Sequence, residues 1–309
     1  MILSVTLNPS VDMDFIVNGL RAGGRYRTNV SRRSPGGSGV NVSIILSRLG
    51  HPSVATGFLA GFNAYYILEE LRREGVTTNF IHTQGETRIS VCITDLAGDT
   101  ETRLHEAGLQ ITKRDAEAFS RSYDRILGRV DQVVLGGSLP PGLSSDFCIN
   151  LLRKAKDSSI SVVVCPREED REIMLAEYPT IVSLDLATLA PGYDDKDSQL
   201  QKFLAQAVEL HRHGTQWVVT CEPGRVIFST PQGTWTAKGS ADEMKYSYAS
   251  EDALLAGLLA ALDERMPFEE ALRFAAACFW ECTTHPEKFP ANREALDQFL
   301  PQLVIDKLD

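Results

Sequence analysis

Short apolar runs alternate with amphipathic segments along most of the chain. The runs predict buried strands, because strands covered on both faces are apolar throughout, whereas a helix buries one stripe at a spacing of three to four residues. The helical spacing is clear in Val40–Leu49, where Gly50 ends the pattern. The predicted strands are 2–7, 54–59, 132–136, 161–165, 180–183, 217–220 and 226–228, and the predicted helices are 40–49, 64–74, 146–155, 200–211, 251–263 and 268–280.

This order of elements predicts an α/β fold with a central, mostly parallel sheet that is covered by helices on both faces. Two regions depart from it, at about 12–34 and 86–105, where polar and apolar residues alternate. We expect their strands to form a small separate sheet, a lid over the carboxyl edge of the main sheet. No repeat, low-complexity segment or linker interrupts the chain, so residues 1–309 are predicted to form a single domain.

Composition narrows the partners and the compartment. The chain has 309 residues, of which 43% are hydrophobic and 23% charged, as in soluble globular proteins. A net charge of -10 argues against a nucleic-acid partner, although a few local arginines would suffice for a phosphorylated small molecule. No apolar run is long enough to span a membrane, and the first residues lack the pattern of a signal peptide. Six cysteines in neither C-x-x-C pairs nor zinc-ligand patterns predict free thiols, a cytoplasmic setting and no metal site.

Six segments carry the candidate chemistry, in the order Thr6–Asp12, Gly36–Val42, Thr56–Gly61, Gly85–Val91, Gly137–Gly142 and Tyr246–Gly257. Together they cover nearly the whole length and resemble the phosphofructokinase-B (ribokinase-like) family of sugar kinases, in particular its 1-phosphofructokinase and tagatose-6-phosphate kinase branch. The resemblance implies a ribokinase-like three-layer sandwich with a small β lid, which in this family often serves as the contact of a homodimer. It also implies phosphoryl transfer from ATP, with Mg²⁺ bridging the ATP phosphates, to a hexose phosphate such as fructose 1-phosphate or tagatose 6-phosphate.

The resemblance assigns four residues to the substrate. Asp12 would accept hydrogen bonds from sugar hydroxyls, and Asn41 would also bind the sugar. Gly37 belongs to a loop, Gly36–Gly39, whose backbone would approach the substrate closely. Arg88 would clamp the phosphate of the substrate with its planar fork. Each has a plainer interpretation: a turn-capping aspartate, a loop-to-helix turn or an exposed lid arginine.

Other residues of the predicted lid complete this site. Arg27 and Arg103 could assist Arg88 in holding the phosphate. Ser90 and Cys92 stand where the family has Asn and Lys. His105 also replaces an Asn, and a lone histidine is more often structural than an acid–base group.

The resemblance places catalysis and nucleotide binding in the second half of the chain. Asp252 corresponds to the base that removes the proton of the sugar hydroxyl, in a segment that normally reads T-V-G-A-G-D. Ser250 falls in the anion hole of that segment, while Thr220 and Gly224 flank the turn around the nucleotide. The alternative is that Ser250 caps a helix and that Asp252 only stabilises its first turn.

Five positions depart from the family pattern on the glycine loop and the nucleotide side. Ser38 replaces a Lys and Thr188 replaces a Glu that helps to organise Mg²⁺. Glu222 and Glu251 add acids near the phosphates, and Cys165 replaces an Asp at the end of a strand. The sequence is therefore compatible with two functions: a sugar-phosphate kinase of full or reduced activity, or a noncatalytic descendant that binds a sugar phosphate or a partner protein.

Overall fold

The computed structural model describes residues 1–28, 31–189, 196–222, 224–240, 249–285, 288–290 and 292–308. The strands are β1 Ile2–Thr6, β2 Ser10–Val17, β3 Ser31–Gly36, β4 Ser53–Leu59, β5 Thr77–His82, β6 Ile89–Asp95, β7 Thr100–His105, β8 Gln132–Gly136, β9 Ser161–Cys165, β10 Ile181–Ser183, β11 Trp217–Glu222, β12 Arg225–Thr230, β13 Gly233–Lys238 and β14 Val304–Leu308. The α-helices are α1 Ser38–Arg48, α2 Gly61–Arg73, α3 Lys113–Leu127, α4 Ser145–Asp157, α5 Arg171–Leu175, α6 Leu186–Leu189, α7 Lys196–Arg212, α8 Ser250–Asp263 and α9 Phe268–Thr284.

The strands form two sheets. The large sheet has ten strands in the order β14-β13-β12-β11-β10-β9-β8-β1-β4-β5. Its strands from β11 to β5 are parallel, and β12, β13 and β14 extend it, each antiparallel to its neighbours. The small sheet has the order β3-β2-β6-β7, with a parallel β2–β6 pair at its centre.

Helices cover both faces of the large sheet, which gives three layers. Alternate side chains of one strand point to opposite faces, so neighbours such as Val133 and Val134 belong to different cores. Val134 packs in a core with apolar residues of α1, α2, α8 and α9. Val133 packs in a second core with residues of α3, α4 and α7. Because such a strand is buried on both faces, it is mostly apolar, as β8 and β9 are in Val133–Leu135 and Val162–Val164.

The structure confirms the predicted fold class and adds elements that the pattern did not predict. The strands β5, β13 and β14 lie at or near the edges of the large sheet, where exposed residues dilute the apolar signal. The helix α3 was also missed, although Thr112 and Asp115 form a capping box at its start. All six cysteines are free thiols. No helix in the described ranges combines the length and apolarity needed to cross a membrane.

Candidate active site

A cleft of about 500 Å³ lies at the carboxyl ends of the parallel strands, between the two sheets. The main sheet contributes the residues that follow its strands, such as Gly137 after β8, Arg167 after β9 and Asp185 after β10. The small sheet contributes residues of β2, β6 and β7. Open α/β sheets bind ligands outside the carboxyl ends of their strands, so this cleft is the candidate site. A wider groove of 710 Å³ lies before β8 and β9, at the opposite ends of the strands.

Asp12 enters the cleft from β2 with both carboxylate oxygens engaged. Ser10 donates a hydrogen bond to Oδ1 at 2.6 Å, and Lys288 Nζ lies 2.8 Å from Oδ2. Burial raises the pKa of Asp12. The charge and hydrogen bond of Lys288, the hydrogen bond from Ser10 and the charge of Arg88 together outweigh burial and hold that pKa below its ordinary value. The carboxylate also lies against Gly36, where an added Cβ would come within 2.2 Å of Oδ1. Asp12 is therefore an ionised acceptor in a fixed position.

Gly37 occupies the N-cap of α1 beside this carboxylate. Its φ of 107° lies in the region that favours glycine, and a Cβ there would approach the Thr6 methyl group to 2.4 Å. The loop can therefore pass close to β1 only because glycine stands here. This geometry brings Ser38 and Asn41, on the first turns of α1, into the lining of the cleft.

Asn41 and Asp252 form the centre of the cleft. Asn41 Nδ2 donates to Asp252 Oδ2 at 2.7 Å, although the two residues are 211 positions apart. Burial raises the pKa of Asp252, against the hydrogen bond from Asn41, the charges of Arg167 and Lys288, and a hydrogen bond from Ser38. Asn41 Oδ1 is buried without a hydrogen-bond partner among the described residues, so it can accept a bond from a ligand.

Arg88 joins Asp12, Gly37 and Asn41 in the lining of the cleft. Its Nε donates to the Asn8 carbonyl at 3.1 Å, and one terminal nitrogen donates to the Glu106 carbonyl at 3.4 Å. These bonds fix the plane of the guanidinium. Burial lowers the pKa of Arg88, although the nearby Asp12 charge opposes this effect.

Three further cationic or basic side chains line the cleft. Arg167 follows β9, and its charge acts on Asp252 and Glu251 as well as on Arg88. Arg103 and His105 both lie on β7. His105 Nδ1 is 3.1 Å from Ser90 Oγ, and burial together with the charge of Arg88 lowers the pKa of His105. Arg27, by contrast, is exposed and does not line the cleft.

Arg167 and Lys288 line the cleft but were not predicted as site residues from the sequence. The only available signal for Arg167 was its place two residues after a predicted strand. Lys288 carried no signal of this kind, because it follows α9, far along the chain from every segment used in the prediction.

The start of α8 differs from its prediction. The helix begins at Ser250, so Ala249, and not Ser250, occupies the N-cap. Ala249 has φ 52° and ψ 18°, the left-handed conformation that usually requires glycine, and no side chain caps the helix. Ser250, Glu251 and Asp252 follow in the lining of the cleft. The preceding residues Tyr246–Tyr248 lie outside the described residues.

Glu251 lies in the cleft and does not turn away from it. Its side chain is exposed to the solvent that fills the cleft, although much protein lies around the carboxyl group. Desolvation, followed by the charges of Asp185 and Asp252, raises the pKa of Glu251 to about 7, against the opposing charges of Arg167 and Arg103. Three acids thus converge at the start of α8.

Comparison with known proteins identifies the family. The model of the pfkB family carbohydrate kinases matches residues 9–286. The chain belongs to the pfkB family of carbohydrate kinases. A 1-phosphofructokinase of Bacillus subtilis (strain 168) is 29% identical to this pfkB member over 309 residues, 100% of each chain.

Solved structures show the same family fold. A possible 1-phosphofructokinase from Thermotoga maritima matches this pfkB member with a TM-score of 0.86 and 31% identity, over 100% of this chain and 99% of that one. Phosphofructokinase-2 from Escherichia coli in complex with fructose-6-phosphate matches with a TM-score of 0.82 over 97% of this chain and 98% of that one. Its 20% identity supports the fold alone.

Of the residues that the sequence assigned to the nucleotide, fewer reach the cleft than of those assigned to the sugar. Neither Thr220 nor Gly224 lines the cleft in the part of the chain that the structure describes, and Thr220 is fully buried on β11. Pro223 lies outside the described residues. Glu222 pairs with Arg225 across the β11–β12 hairpin at 2.6 Å, so its charge is largely neutralised. Of the two acids that the sequence placed near the phosphates, only Glu251 faces the cleft.

Mg²⁺ finds no protein-built site in the described ranges. No group of three or more His, Cys, Asp or Glu side chains there could hold a metal ion. Mg²⁺ in kinases is commonly held by one or two carboxylates together with substrate phosphates.

Proposed function

We propose that the protein transfers a phosphoryl group from ATP to a hydroxyl of a hexose phosphate, of the fructose 1-phosphate or tagatose 6-phosphate type. One observation carries the proposal: Asn41 and Asp252 form a hydrogen-bonded pair in the same cleft as Asp12 and Arg88. The family membership supports the same class of reaction. The kinship with 1-phosphofructokinases favours a phosphorylated sugar over a free one.

The chemistry assigns a distinct task to each of these residues. Asp12 accepts hydrogen bonds from sugar hydroxyls, and Arg88 pairs with the phosphate that the sugar already carries. Asp252 removes the proton of the attacking hydroxyl. A buried carboxylate with a raised pKa is a stronger base than an exposed one, which suits this task. Asn41 keeps the carboxylate of Asp252 in the orientation that the transfer requires.

A second candidate function is noncatalytic binding of a sugar phosphate or of a partner protein. The observation that favours it is Glu251, which brings a third acid to the start of α8. Helix N-termini attract anions through their unpaired amides and the helix dipole, and a carboxylate at the same place competes with a phosphate. This candidate retains the sugar site and lacks productive ATP binding.

Turnover by the wild type and by Asp252→Asn decides between the two candidates. We expect wild-type activity with Mg-ATP and fructose 1-phosphate or tagatose 6-phosphate. Because general-base assistance contributes about 10²–10⁴-fold, Asp252→Asn should lose about that factor in kcat while still binding the sugar phosphate in calorimetry. Asp124→Asn, an exposed change on α3, is the control. If the wild type binds the sugar phosphate but consumes no ATP above background, the noncatalytic candidate replaces the kinase.

We further propose that the protein acts in the cytoplasm and forms a homodimer through the small sheet. On the small sheet, Met13, Val91 and Leu104 lie in register across β2, β6 and β7. Leu104 is 59% exposed and would offer apolar area to a partner. Sedimentation of the full chain at micromolar concentration tests the assembly, and a monomer would contradict it.

A further inference from the structure

Lys288 is a buried lysine that the proposed mechanism does not yet use. It follows the end of α9, and its side chain is 6% exposed. Lysine is almost never buried to this extent unless it is paired. It also lines the cleft, so this buried side chain belongs to the candidate site and not to the hydrophobic core.

The ammonium group of Lys288 connects the segment after α9 to the small sheet. Its Nζ donates to Asp12 Oδ2 on β2 at 2.8 Å and to the Pro35 carbonyl on β3 at 2.5 Å. Since Ser10 donates to Oδ1, Asp12 is held at both oxygens. An ammonium has three donors, and two of them have partners among the described residues.

We propose that Lys288 is a positioning residue for Asp12, which holds that carboxylate ionised and oriented to accept the hydroxyls of a hexose phosphate. This inference rests on the proposed sugar-binding function of the cleft. Its physical basis is that a buried carboxylate without a close cation would take up a proton, and a protonated Asp12 accepts fewer hydrogen bonds.

Other charged groups face Asp12 but cannot replace Lys288. Asp14 on the same strand repels the carboxylate and has Arg32 as its own partner at 3.0 Å. Arg88 attracts it from the start of β6, but the guanidinium donates to two backbone carbonyls. His105 on β7 and Tyr66 on α2 also feel its charge. Lys288 alone among these groups donates a hydrogen bond to Asp12.

The test compares Lys288→Met and Lys288→Arg with the wild type by calorimetry with fructose 1-phosphate and tagatose 6-phosphate, at about pH 5.5 and pH 8. We expect the wild-type affinity to change between the two pH values only as far as the second ionisation of the sugar phosphate, at about pH 6, changes it, and each variant is compared with that change. Opposite charges lower a neighbouring carboxyl pKa by about 1–3, so Lys288→Met should raise the pKa of Asp12 toward the lower pH. Its affinity should then be about tenfold or more weaker at the lower pH than at the higher one, and Lys288→Arg should restore most of the loss.

The matched control is Lys238→Met, which removes a surface pair with Asp306 at 3.0 Å and should leave affinity and pH dependence unchanged. A Lys288→Met protein with wild-type affinity at both pH values would overturn the proposal. The proposal would also be overturned if Lys288→Met weakened binding equally at both pH values and Lys288→Arg did not restore the affinity, because that pattern indicates a structural role.

A ligand-free measurement separates this inference from the proposed function. The pKa of Asp12 followed by carboxyl carbon NMR should rise by about one or more in Lys288→Met, even if the wild type binds no sugar phosphate. An unchanged Asp12 titration would overturn the inference while the proposed function stands. If Lys288→Met fails to fold, the Asp12→Asn/Lys288→Met protein should fold, since it leaves no unpaired buried charge.

Discussion

The most informative perturbation is Glu251→Gln, which removes the charge of one acid and keeps its shape. Glu251 lies on the first turn of α8, with Asp185 and Asp252 around it. Its folded-state pKa of about 7 exceeds the ordinary value of 4.5, mainly because of desolvation. The folded protein therefore retains a proton on Glu251 over a pH range in which the unfolded chain has lost it.

The sign of the stability effect follows from this order of pKa values. Below the ordinary pKa both states are protonated and no difference arises. As the pH rises from 4.5 through about 7, the folded state loses stability relative to the unfolded state. The upper bound of that loss is about 3 kcal/mol, at 1.36 kcal/mol for each unit of pKa. Because the Glu251 side chain retains solvent contact, screening should reduce the effect to about 1 kcal/mol.

Urea unfolding of the wild type and of Glu251→Gln measures this difference. We expect the variant to be more stable by about 1 kcal/mol at about pH 8.5, and the advantage to shrink toward pH 4.5. Glu270→Gln is the matched control, since Glu270 also lies on the first turn of a helix but does not line the cleft. That change should be neutral or destabilising by a few tenths of a kcal/mol, because acids favour a helix N-terminus. The reasoning is refuted if Glu251→Gln has no pH-dependent advantage.

Two further predictions concern ligand binding. In calorimetry, Arg88→Ala should weaken the binding of fructose 1-phosphate or tagatose 6-phosphate by about 1.5–3 kcal/mol, the range for a hydrogen bond to a charged group. The control is Arg121→Ala, an exposed change that should leave the affinity unchanged. If Arg88→Ala and the wild type bind equally well, Arg88 does not bind the phosphate. Glu251→Gly should tighten Mg-ATP binding by about tenfold or more. The reason is that the carboxylate and a phosphate about 4 Å apart would repel by about 4 kcal/mol at an effective dielectric near 20, and solvent screens only part of that repulsion. Glu222→Gly should have little effect, since Arg225 already neutralises Glu222; no gain from Glu251→Gly would mean that this acid does not hinder the nucleotide.

Most of the large sheet was predictable from the sequence because its central strands are buried on both faces. The strand Ser161–Cys165 contains three consecutive valines, so it was recognisable as a buried strand from the sequence alone. The edge strand Thr77–His82 has mostly exposed residues, and its pairing with β4 depends on a contact that no local pattern encodes. The C-terminal strand Val304–Leu308 was missed for the same reason.

The composition of the candidate cleft was predictable where its residues belong to local motifs. Asp12, Gly37 and Asn41 lie in two short segments whose glycines and polar residues mark a close backbone approach. The sequence predicted that Asn41 and Asp252 belong to one site, but it did not predict their 2.7 Å hydrogen bond, because the two residues are 211 positions apart. Lys288 illustrates the limit, since a single lysine after a helix has no pattern and gains its meaning only from the carboxylate that the fold brings to it.

The distribution of charge in the cleft shows which measurement decides the function. At the residues proposed to bind the sugar, the positive charges of Lys288 and Arg88 lie near Asp12 and balance its negative charge. On the nucleotide side, Glu251 and Asp185 repel each other, and Arg167 is the cation that acts on both Glu251 and Asp252. A kinase and a noncatalytic binder need the same sugar side, so binding of a sugar phosphate cannot separate them. Only the nucleotide side differs between the two functions, and Mg-ATP affinity together with Asp252-dependent turnover therefore distinguishes them.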